Sequence, residues 1–160
     1  MATRASIHHH PIHPMLVVFP LGLWIFGFIG YVIFMISGAP FSPWREVSLY
    51  AMCGGLIGAV LAAVPGFIDL LTLRGSRVWT TGLLHMTSNV TALILFIIAF
   101  AVGISREGPS AATFILSLLG LIAAGIGGWL GGALVYEHGV GVAARERQEV
   151  QEPQEVQRVP

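Results

Sequence analysis

The stretch Val78–Ser105, VWTTGLLHMTSNVTALILFIIAFAVGIS, contains no Asp, Glu, Lys or Arg. It is longer than the roughly 20 apolar residues with which a helix crosses a hydrocarbon core about 30 Å thick. Three more intervals share this character: Met15–Trp44, Val47–Ile68 and Gly108–Tyr136. The first is shortened by Ser37-Gly38-Ala39-Pro40 and Ser42-Pro43, which punctuate a helix. Spans are therefore expected at about 15–36, 47–71, 79–104 and 111–136. Their apolar character is continuous and does not alternate as the strands of a membrane barrel do. The expected fold is an all-α integral membrane four-helix bundle.

Composition agrees with this reading. Of 160 residues, 10% are charged and 55% hydrophobic, whereas about a quarter of a soluble chain is charged. The formal net charge is zero, so no basic field exists for nucleic acid. The lone Cys53 cannot form an internal disulfide or a Cys-based metal site. Four crossings put both termini on one side. That side carries Arg4, Arg74, Arg77, Arg145, Arg147 and Arg158, against Arg45 and Arg106 on the other. The positive-inside rule makes it cytoplasmic, and the expected location is the inner (cytoplasmic) membrane of the cell. Residues 1–14 form a cytoplasmic segment, and 137–160 a cytoplasmic tail expected to be disordered.

Small residues recur every fourth position at Gly54, Gly58 and Ala62 in the second span. In the fourth, one row runs Gly120, Ala124, Gly128 and Gly132, and a second holds Gly127 and Gly131. Such rows let backbones approach, within the bundle or at the face of a homo-oligomer or larger membrane complex. The remaining surface meets the lipid bilayer. Pro20 and Pro65-Gly66 should disturb their helices and free carbonyls for neighbours to satisfy.

The polar residues gather toward the cytoplasmic side, where all six histidines fall. His85 lies about six residues into the third span, roughly 9 Å deep at 1.5 Å per residue. Thr81, His85, Ser88 and Asn89 share one helical face, which should point into the bundle. In His10-Pro11-Ile12-His13-Pro14 the prolines stiffen the chain and place His13 at the start of the first span. His138 follows the fourth span, and Asp69 is the acid inside a spanning run. His13, His85 and His138 are the expected cofactor ligands. His10, His13, His85, His138 and Asp69 together are the expected metal set. Asn89, Ser88, Tyr136 and Glu137 would support them.

Imidazole nitrogens suit a transition metal or the axial positions of a haem b. The leading expectation is thus a haem- or transition-metal-binding redox membrane protein. The same residues also fit an accessory or scaffold protein whose histidines bond between helices, or a small transporter or proton path. Asp69 fits an ion pair with Arg74 or Arg77 as well as it fits a ligand or an acceptor for a histidine N–H. No Ser or Cys nucleophile stands near a base at a spacing that defines a reaction.

His10-Pro11-Ile12-His13-Pro14, Phe19-Pro20-Leu21-Gly22, Gly66-Phe67-Ile68-Asp69, His85 with Asn89, and Gly128-Trp129-Leu130-Gly131-Gly132 resemble a known pattern, as does the run from Val135 to Val142. The chain is similar over about residues 7 to 142 to the bacterial membrane family called domain of unknown function 2231. That resemblance implies a four-helix membrane protein and no particular chemistry.

Overall fold

A computed structural model of the protein describes residues 4–8, 10–39 and 42–142. Two short strands, β1 (Ser6–Ile7) and β2 (His10–Pro11), pair as an antiparallel hairpin. Five helices follow: α1 (Ile12–Leu16), α2 (Val18–Ser37), α3 (Pro43–Thr72), α4 (Trp79–Ile104) and α5 (Ala111–Tyr136). Ile12–Ser37 as one unit, and α3, α4 and α5 singly, are long and apolar enough to cross a membrane. The expected tail lies largely in 143–160, outside the described residues.

The helix ends follow local chemistry. Pro20 has no N–H for the carbonyl of Leu16, and the helix is interrupted at Val17, which divides α1 from α2. Gly38 closes α2 in the left-handed conformation (φ 62°), its N–H on the Phe34 carbonyl. Ser42-Pro43 proves to be the start of the next helix rather than loop: Ser42 is the extended N-cap and Pro43 the first helical residue. Consequently α3 begins four positions before Val47 and takes in Arg45 and Glu46. At the start of α5, the Ser110 side chain accepts from the Thr113 N–H at 3.4 Å.

Packing pairs α2 with α3 and α4 with α5, forming two helical hairpins that meet along a seam. Aromatic rings fill its middle: Trp24 stacks on Phe96 at 4.3 Å between centroids, and Phe28 on Phe114 at 5.4 Å. At one end of the seam, the Tyr31 hydroxyl accepts from the Ser110 N–H (2.9 Å) and lies 3.2 Å from the Ser110 carbonyl. There too the Arg45 guanidinium donates to the carbonyls of Gly103 (3.1 Å), in the last turn of α4, and of Arg106 (2.7 Å), just beyond it. Glycines permit the close approach. A Cβ on Gly55 would fall 2.3 Å from Trp24, and one on Gly120 would fall 2.8 Å from Phe96. The opposite end of the seam carries the histidines.

Candidate functional site: a pair of tethered imidazoles

His13 on α1 and His85 on α4 approach across the seam with ring centroids 5.9 Å apart and planes at 89°. Both are half-buried. Each ring is held by the same device. His13 Nδ1 lies 2.8 Å from the Ala62 carbonyl of α3, and His85 Nδ1 lies 2.7 Å from the Gly127 carbonyl of α5. A carbonyl can only accept, so each Nδ1 carries the proton and donates. Each Nε2 is left free of the tether, and in the neutral form of the ring it holds the lone pair.

Glycines make these contacts sterically available. Four residues beyond Ala62 stands Gly66, where a Cβ would lie 2.7 Å from His13 Nδ1. Four residues beyond Gly127 stands Gly131, where a Cβ would lie 3.0 Å from the His85 ring. One helical turn separates carbonyl from glycine in both cases, so each imidazole lies on bare backbone beside the oxygen it bonds. Pro65 sits in the same turn of α3, where it removes a backbone N–H.

Asn89 is one turn after His85. Its amide donates to the His85 backbone carbonyl at 2.8 Å and lies against Gly127, where a Cβ would fall 2.6 Å from Asn89 Nδ2. At 3.4 and 3.5 Å from the two His85 ring nitrogens, the amide makes at most a weak contact with them.

The sequence pattern of the family described as "Predicted membrane protein (DUF2231)" matches residues 9–144, a segment that contains both histidines, their carbonyl acceptors and both glycines. The chain belongs to the DUF2231 family. No curated protein and no solved structure matches it.

The other expected residues of this DUF2231 chain lie elsewhere. His10 is exposed on β2, with Nδ1 2.9 Å from the His8 carbonyl. Tyr136, Glu137 and His138 are exposed at the end of α5, and Ser88 is half-buried on α4. Asp69 is buried, and its Oδ1 accepts from the Ala5 backbone N–H at 3.0 Å. The ion pair formed among the described residues is Arg45 with Glu46 (3.4 Å), at the other end of the molecule. No three of His, Cys, Asp and Glu come together among the described residues as a metal-holding group. The structure thus brings together two imidazoles out of the wider expected set.

Sequence reading did not find the acceptors. Main-chain oxygens have no residue-type signature, and Gly66, Gly127 and Gly131 read as signs of a kink and of helix packing. The available signal was the recurrence of glycine in both helices opposite a histidine.

Proposed function

We propose that this protein is a redox membrane protein that binds a b-type haem between His13 and His85. The observation that carries the reading is the matched pair: two imidazoles from separate helical hairpins, each tethered through Nδ1, with centroids 5.9 Å apart. Donor number favours haem over an isolated ion. His13 and His85 would hold a haem, which needs few protein ligands, whereas a structural zinc wants four. When bound, the haem would supply one-electron redox chemistry.

The chain's own contribution is orientation and basicity. An Nδ1–H to carbonyl bond fixes the tautomer, stops ring rotation and strengthens Nε2 as a donor. We further propose that this end of the bundle faces the cytoplasm across the inner membrane, because Arg4, Arg74 and Arg77 adjoin it in sequence while Arg45 and Arg106 lie at the other end.

One observation favours a second reading. The two tethers are themselves interhelical bonds, α1 to α3 and α4 to α5, so the histidines could act as packing elements of a noncatalytic scaffold. Titration of haem into detergent-purified protein separates the two. The haem reading expects saturation at one haem per chain with the spectrum of a low-spin, two-imidazole complex. A spectrum unchanged from free haem in the same detergent leaves the scaffold reading.

A further inference from the structure

We propose that Asp69 is a positioning residue, the catch that holds the N-terminal hairpin on α3 and so sets the place of His13. Asp69 reads most naturally as a ligand or an ion-pair partner, but its carboxylate is spent on the main chain. Oδ1 accepts from the Ala5 N–H at 3.0 Å, across 64 positions of sequence. Both residues of this contact are buried, at 9% exposure each. Ala5 is held on its other side too, since its carbonyl accepts from the N–H of Ile12 at 2.9 Å. Ile12 is the first residue of α1, and His13 is the next.

The relay therefore runs from Asp69 through the Ala5 peptide to the start of α1, and it closes the β1–β2 hairpin at its base. The register agrees: Ser6 faces Pro11 and Ile7 faces His10, so Ala5 and Ile12 are the next pair outward. On α3, Asp69 stands three residues after Gly66, the glycine on which the His13 ring lies. Hence α3 holds α1 by two grips about one turn apart, at the Ala62–Gly66 turn and at Asp69. Five residues are too few for a helix to stand on its own, so α1 depends on its continuation into α2 through Val17 and on these contacts with α3. A charged acceptor on a buried backbone N–H is among the stronger of these.

The functional meaning of this inference rests on the paired-histidine reading, but its test does not. Protein with 15N-labelled histidine, without added haem, is compared as parent, Asp69→Ala and Asp69→Asn, with ring signals assigned from single histidine replacements. The expected result in Asp69→Ala is loss of the His13 Nδ1–H signature while that of His85 persists. Amide exchange at Ile12 should quicken about ten- to a hundredfold, the span of one lost charge-assisted bond. Asp69→Asn retains an acceptor oxygen and should restore both signals. An unchanged His13 in Asp69→Ala overturns the proposal, as does parallel loss of the His13 and His85 signatures, or an Asp69→Asn variant as disturbed as Asp69→Ala. None of these outcomes depends on whether the parent takes up haem.

Discussion

At His13 and His85 the chemistry depends on atoms that are missing as much as on those present. A methyl group at position 66 would fall 2.7 Å from His13 Nδ1, closer than the neighbours could accept without moving the ring from the Ala62 carbonyl. At position 131 the approach is 3.0 Å, which a shift of a few tenths of an ångström can absorb. Gly66→Ala is therefore expected to cost about 1–3 kcal/mol as overpacking and to expose His13 to imidazole-modifying reagent. Gly131→Ala should cost less. Thermal unfolding in detergent, read beside modification rates of the two histidines, checks the order; equal effects at both positions would contradict it. Sequence gave access to His13 and His85 here, through depth in the span for one and proline stiffening for the other. It could not reveal that His10 and His138 stay exposed, because that depends on where a two-strand hairpin and the end of α5 come to rest.

Among the elements, α5 shows most clearly what periodicity reveals and where it misleads. An exact four-residue spacing follows the row Gly120, Ala124, Gly128, Gly132, but a straight helix drifts off such a row. The buried face instead steps by three and four in turn, through Thr113, Ser117, Gly120, Ala124 and Gly127 to Leu134. Gly131 falls on that face and takes His85, whereas a Cβ on Gly128 would meet nothing within 4 Å. Gly128→Ala should then be neutral or stabilise by up to about 1 kcal/mol through helix propensity. Gly120→Ala, driven into the Phe96 ring at 2.8 Å, should destabilise by about 1–3 kcal/mol. Paired melting curves test this, and the reverse order would refute the assigned face. The extents of α4 and α5 were readable from charge-free runs because both are bounded by charged or turn-forming segments. The start of α3 was not, since a Ser-Pro pair marks the beginning of a helix as well as it marks a break.

For the molecule as a whole, the division into two helical hairpins is the feature that no linear pattern displayed. Four spans were countable, but which helices pair depends on side chains meeting across distant sequence, such as Tyr31 with Ser110 and Arg45 with Gly103 and Arg106. Tyr31→Phe keeps the ring and leaves the Ser110 N–H without its acceptor in a buried place. That change should cost about 1–3 kcal/mol without altering the histidine pair at the other end. Unfolding midpoint and haem titration together measure both halves of this expectation. A loss of haem affinity without a loss of stability would contradict the separation of the two ends.

The arrangement sets the imidazoles across the seam between the hairpins, one tethered to each, so that a haem would join the two halves of the bundle. The most direct test is the reduced-minus-oxidised absorption spectrum of membranes containing the parent, His13→Ala or His85→Ala, at matched protein levels. The account predicts a b-type haem difference spectrum in the parent that either single replacement abolishes, and that His138→Ala leaves intact. A parent with no such spectrum after supply of haem, or one that survives both replacements, would contradict it.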